Sequence, residues 1–129
     1  MKTTQSFLAL GEAMVEMAPT HDVLYRRGFA GDTLNTAWYL RAQLDDDWTV
    51  GYVTALGDDP LSFEMTEFFK QHGIDTTHVK HLPGKSPGLY LISLKDGERH
   101  FSYWRENSAA RQLLKHPDWL IEAINHAGN

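Results

Sequence analysis

The feature that most restricts this chain is Lys95-Asp96-Gly97-Glu98, set between two β-type runs, Leu89–Leu94 and Arg99–Trp104. Asp-Gly suits a two-residue hairpin turn, because both central positions need positive φ, which Gly adopts freely and Asp tolerates. Such a turn dictates a register: Lys95 faces Glu98, Ile92 faces Phe101, and Tyr90 faces Tyr103. Opposed residues share one face of the sheet. Arg105, two residues beyond Tyr103, shares that face as well. Two phenol hydroxyls and a guanidinium beside apolar rings suit a polar, anionic small molecule. Arg105 can fork onto a carboxylate while the tyrosines bond hydroxyls. The same residues also fit a Tyr–Tyr pair that only packs, with Arg105 solvated. A one-residue slip in the turn disperses the set.

The rest of the chain alternates strand and helix. Phe7–Leu10 is a short apolar strand ending at Gly11. Ala13–Met17 alternates Met14 and Glu16 against Val15 and Met17, as a strand does. Pro19–Asp22 is a turn, and Val23–Ala30 returns as a third strand. Asp32–Leu44 has helical spacing, with Leu34, Ala37, Trp38 and Leu44 on one face and Gly31-Asp32 as the capping start. Asp45-Asp46-Asp47 breaks that pattern. Trp48–Leu56 is a β-type run closed by Gly57. Asp58-Asp59 caps the next helix, Pro60 opens it, Leu61, Met65, Phe68 and Phe69 repeat along it, and Gly73 stops it. Ile74–Leu82 reads as extended. A last helix follows Pro117, with Leu120, Ile121 and Ile124 as its apolar face. This alternation predicts an α/β domain with a mainly parallel sheet. The early strands and the hairpin stand outside it and predict a second, small sheet.

A second candidate site is Gly31-Asp32-Thr33-Leu34-Asn35. Glycine before a helix lets a ligand approach the backbone, helix-start amides favour oxygen-rich groups, and Asn35 lies within reach. A capped helix with an incidental Asn fits the same residues. Other groupings carry less. His78 and His81 lie in an extended segment and need not converge on a metal, so they read as solvated loop residues. Asp45, Asp46, Asp47, Asp58 and Asp59 read as a solvated turn and helix caps rather than Mg²⁺ ligands. No phosphate-cradling Gly-rich loop with Lys and no Ser-centred elbow is present.

The 129 residues suffice for one domain with a real core, at 42% hydrophobic and 22% charged. A formal net charge of −5 argues against nucleic acid as the main partner. No cysteine is present, which excludes disulfides and thiolate chemistry. No apolar run reaches the length of a signal-peptide core or a membrane span. The expectation is a soluble, cytoplasmic protein with no membrane partner.

Several segments, in order, resemble the ribokinase/PfkB carbohydrate kinase family. Leu8-Ala9-Leu10-Gly11-Glu12 looks like its first strand and turn. Gly28-Phe29-Ala30-Gly31-Asp32-Thr33-Leu34-Asn35-Thr36-Ala37 resembles its sugar-binding Gly-Gly-x-x-x-Asn signature, with Ala30 in place of the first glycine. Val53–Asp59 and Gly73-Ile74-Asp75-Thr76 resemble later segments. Pro87-Gly88-Leu89-Tyr90, Gly97–Arg105 and Asn107-Ser108-Ala109-Ala110 look like the 2-keto-3-deoxygluconate kinases within that family.

The resemblance implies a Rossmann-like, ribokinase-like α/β fold with a small β-sheet lid, its lid strands near 13–30 and 88–105. It implies that Gly31, Asp32, Thr33, Asn35, Tyr90, Tyr103, Trp104 and Arg105 line a sugar pocket, although the hairpin register turns Trp104 the other way. It implies ATP-dependent phosphorylation of a sugar acid at its 6-hydroxyl, with Mg²⁺. The family's catalytic Asp sits in a Gly-Ala-Gly-Asp motif near the carboxyl end, with the ATP site around it. Neither is found in this sequence, so the expectation is an amino-terminal part of the fold over residues 1–129, without catalytic or metal-binding residues and inactive alone. Two other readings remain: part of a kinase for a neutral sugar such as fructose or ribose, or a non-catalytic module that self-associates through the edges of the lid sheet.

Overall fold

Two separate sheets organise the chain in a computed structural model that describes residues 5–127. Lys2 and the closing Gly128-Asn129 lie outside the described residues. The first sheet has three parallel strands in the order β1 (Gln5–Leu10), β4 (Trp48–Gly57), β5 (Val79–Leu82). The second has four, ordered β3 (Tyr25–Ala30), β2 (Met14–Pro19), β6 (Gly88–Lys95), β7 (Glu98–Trp104). Within it β2–β3 and β6–β7 are antiparallel, and β2 runs parallel to β6.

β4 is the axis of the core. Its residues Val50 to Gly57 are all buried, as expected of the middle strand of a covered parallel sheet. Ala9 and Val50 pack with Leu34 and Ala37 of α1 (Asp32–Gln43) and with Met65 and Phe69 of α2 (Pro60–Gln71). Pro60 opens α2, and Gly73, at φ 74, follows its end in the left-handed conformation that a bulkier residue resists. Val15 of β2 joins the same cluster, tying the two sheets together.

The capping carboxylates behave differently from expectation. Gly31, not Asp32, occupies the cap of α1, and no side chain caps it. Asp59 caps α2 by position, but its Oδ1 accepts from the Ser62 hydroxyl at 2.5 Å rather than from a backbone amide. Ser62 Oγ in turn accepts the Gly57 amide at 2.8 Å, so the pair locks the end of β4 to the start of α2.

Three expectations need correction. First, Ile74–Leu82 is strand only from Val79. Asp75 Oδ1 accepts from the Thr77 amide (3.1 Å) and hydroxyl (2.6 Å), folding the chain into a turn before β5. Second, the apolar face of α3 (Pro117–Ala127) is not Leu120, Ile121 and Ile124. Ala123 is fully buried, and Trp119 and Leu120 pack against Ala55, Ala109 and Leu113, while Ile121 and Ile124 are more than half exposed. The small Ala123 permits the closer approach and selects the 119/120/123 stripe. Third, His81 is a strand residue, not a solvated one. Its Nδ1 is 2.8 Å from the Gly57 carbonyl, and its ring stacks on Phe63.

A 3₁₀ segment, Ala109–Lys115, was not expected. The Ala109 amide donates to the Ser86 carbonyl at 2.9 Å, and Ala109 and Leu113 are buried against the main sheet. This return fastens the end of β7. The Arg105 carbonyl accepts from the Ser108 amide (3.2 Å) and from Arg111 Nε (2.8 Å).

Candidate functional site

A cavity of about 460 Å³ opens between the second sheet and the start of α1. Its position follows from two local devices. Asp96 and Gly97 take φ of 53° and 78°, a mirror-image two-residue turn that sets Lys95 opposite Glu98, Ile92 opposite Phe101 and Tyr90 opposite Tyr103. Tyr90 and Tyr103 present their rings 6.0 Å apart, Phe101 stacks on Tyr103, and the Arg105 guanidinium lies 5.7 Å from the Tyr103 ring centre. Ile92 shares this face but is buried and stays out of the cavity lining.

The second device is Gly31. Its φ is 140°, and a Cβ there would lie 2.7 Å from the Glu12 carbonyl. Only glycine lets the chain pass so close to the β1–β2 connection before turning into α1. Asp32, Thr33 and Asn35 consequently reach the cavity from the first turn of the helix. Ala30 is no obstacle, since it ends β3 in ordinary pairing with Met14.

Seven of the eight expected site residues line this cavity: Gly31, Asp32, Thr33, Asn35, Tyr90, Tyr103 and Arg105. Trp104 does not. It pairs with Leu89 on the opposite face of β7, is 59% exposed, and borders a different hollow beside Ser86 and Asn107. Alternation along the strand forces this, and Trp104 is withdrawn from the site.

Glu12, Met14 and Phe101 also line the cavity. Phe101 was legible in the hairpin register. Met14 and Glu16 were legible as one face of an alternating strand, while Glu12 carried no signal beyond following Gly11.

Charge and hydrogen bonding give each group a character. Glu16 lies beside Tyr90 in the parallel register, and the Tyr90 hydroxyl donates to its carboxylate. Burial first, then this bond, holds the Tyr90 phenol protonated well above its ordinary range. With its proton committed to Glu16, Tyr90 offers a ligand only oxygen lone pairs. Glu12 Oε1 sits 3.5 Å from Arg105 Nε, and its buried Oε2 has no hydrogen-bond partner among the described residues. The cavity wall therefore carries Glu12 and Asp32 against Arg105. Tyr52, beneath the site, has its phenol pushed up to about 12, chiefly by burial. Its oxygen lies 2.6 Å from Thr33 Oγ1.

The cavity wall thus combines hydroxyls, one guanidinium, two carboxylates and the start of α1. Among the described residues no three His, Asp or Glu side chains converge as a metal-ligand set.

Residues 8–127 match the pfkB family of carbohydrate kinases. The chain belongs to that family. The 2-dehydro-3-deoxygluconokinase of Dickeya dadantii (strain 3937) is 45% identical over 118 residues, which is 90% of this chain and 38% of that protein. Among solved structures, the fructokinase of Xylella fastidiosa with bound ATP superposes with a TM-score of 0.72 at 25% identity, over 83% of this chain and 32% of that one. The 2-dehydro-3-deoxygluconokinase of Thermotoga maritima superposes with a TM-score of 0.71 at 21% identity, over 82% of this chain and 34% of that one. This PfkB chain has the ribokinase-like mixed α/β fold, and it spans under two fifths of the length of these relatives. Among the described residues no helix is long and apolar enough to cross a membrane.

Proposed function

We propose that this chain forms the sugar-acid-binding part of an ATP-dependent 2-keto-3-deoxygluconate kinase, the enzyme otherwise named 2-dehydro-3-deoxygluconokinase. The observation that carries the reading is the convergence of Tyr90, Tyr103 and Arg105 with the Gly31–Asn35 helix start around one cavity. Arg105 receives the carboxylate as a fork, Tyr90 accepts from a sugar hydroxyl, and Asn35 and Tyr103 supply further polar contacts. The 45% identity to the Dickeya enzyme supports a sugar acid rather than a simple sugar.

ATP enters this reading through the ATP-bound Xylella fructokinase, and Mg²⁺ only through the family resemblance. Phosphoryl transfer needs a base at the acceptor hydroxyl and donors around the developing charge. In this reading the cavity holds the sugar, and the base belongs to the family's Gly-Ala-Gly-Asp motif, which is not found in this sequence. The chain alone therefore binds sugar acid and does not turn over ATP. A coupled ATPase assay with 2-keto-3-deoxygluconate that registered sustained turnover would contradict this.

A second reading has one observation in its favour. Glu12 and Asp32 on the cavity wall, with Glu16 behind Tyr90, outnumber Arg105 and oppose an anion. A neutral ketose such as fructose avoids that repulsion. Isothermal titration separates the two: the sugar acid is expected to bind about tenfold tighter than fructose, the effect of one charge-assisted contact. Equal or tighter binding of fructose would favour the neutral-sugar reading.

A further inference from the structure

Tyr52 lies in the middle of β4 with no exposed surface, and Thr33 Oγ1 is its phenol's one hydrogen-bond partner among the described residues. Distance alone does not say which oxygen donates. Burial does. If Thr33 donated, the buried phenol's proton would be left without a protein acceptor among the described residues, at a cost that native interiors avoid. If Tyr52 donates, its proton is satisfied, and Thr33 keeps its own.

The Thr33 hydroxyl is also held in place. A Cβ at Gly11 would lie 2.4 Å from its oxygen, so it is seated between the Gly11 backbone and the phenol. Thr33 Oγ1 has no other protein partner among the described residues, and Thr33 lines the cavity. Its proton is left for whatever occupies that cavity.

We propose that Tyr52 is a positioning residue that makes Thr33 a fixed hydrogen-bond donor toward a hydrogen-free oxygen of the ligand, the carboxylate or ketone of a sugar acid. The proposal rests on the sugar-acid reading above. It also addresses the acidic wall, because a committed donor beside the first-turn amides of α1 offsets the repulsion from Glu12 and Asp32.

The test uses Tyr52→Phe, Thr33→Val and the double variant of this chain, each titrated with 2-keto-3-deoxygluconate and melted without ligand. Tyr52→Phe keeps the ring and the core volume, so the chain stays folded. It is expected to weaken sugar-acid binding about three- to tenfold, the effect of one hydrogen bond. Thr33→Val is expected to weaken it at least as much, and adding Tyr52→Phe to Thr33→Val to cause no further loss, because both act through one contact. A Tyr52→Phe chain that melts lower yet binds as tightly as the parent would assign the phenol to stability alone and overturn the inference. Losses that add in full would overturn it as well. If the parent chain itself gives no binding, the sugar-acid reading falls first and takes the inference with it.

Discussion

At the residue scale, the site is a set of protons whose ownership follows from burial. The half-buried Tyr90 hydroxyl donates to Glu16, and by the proposal above the buried Tyr52 phenol donates to Thr33, its one partner among the described residues. This has a consequence for stability. The Tyr52 phenol is raised from 10.0 to about 12 in the folded chain, mainly by burial. A group whose folded value is raised favours the fold in its protonated form. Its contribution is fully present below pH 10 and lost as pH rises toward 12. Denaturant midpoints recorded from pH 8 to 12 are expected to hold up to about pH 10 and then fall. In Tyr52→Phe the fall is shallower, with the remainder due to Tyr90. A midpoint flat to pH 12 would contradict this account of the phenols.

At the element scale, the hairpin shows why a site can be legible before a structure is seen. Asp-Gly demands one turn, the turn demands one register, and the register places Tyr90, Tyr103 and Arg105 together. The helix start was legible for a similar reason, since Gly31 can pass where a Cβ cannot. The misses share a different cause. The face of α3 depends on how closely Ala123 approaches the 3₁₀ segment, a tertiary fact that apolar spacing does not contain. Glu12 sits in a connection without periodicity, so nothing local marked it. Trp104 was drawn in by its motif against the strand alternation, and the alternation prevailed. Gly97→Ala tests the turn directly. The added Cβ meets nothing within 4 Å, so the cost comes from φ 78° alone. About 1 kcal/mol is expected, a drop of about 3–5 °C in melting temperature. An unchanged melting temperature would mean that the turn tolerates a side chain.

At the scale of the whole molecule, the two sheets divide the labour. The parallel sheet with α1 and α2 forms the core, and the four-stranded sheet overhangs the cavity. Val15, Phe29 and Leu89 pack the smaller sheet onto the main core, and Phe29 meets Phe68 of α2 edge to face. The smaller sheet's outer strand β7 is exposed along its whole length, with Phe101, Tyr103 and Trp104 at 48%, 53% and 59%. An exposed strand with aromatic side chains invites pairing with a second chain. Light scattering is expected to show mass rising with concentration, and Trp104→Lys is expected to suppress the rise. A strict monomer over the same range would argue against association through this edge.

The account depends most on Arg105 meeting the ligand's carboxylate. Titrating the parent chain and Arg105→Ala with 2-keto-3-deoxygluconate and with fructose measures that contact. The account predicts that Arg105→Ala loses about tenfold in affinity for the sugar acid, leaves fructose binding nearly unchanged, and so abolishes the preference between them. Equal losses for both sugars, or a preference that survives the substitution, would contradict it.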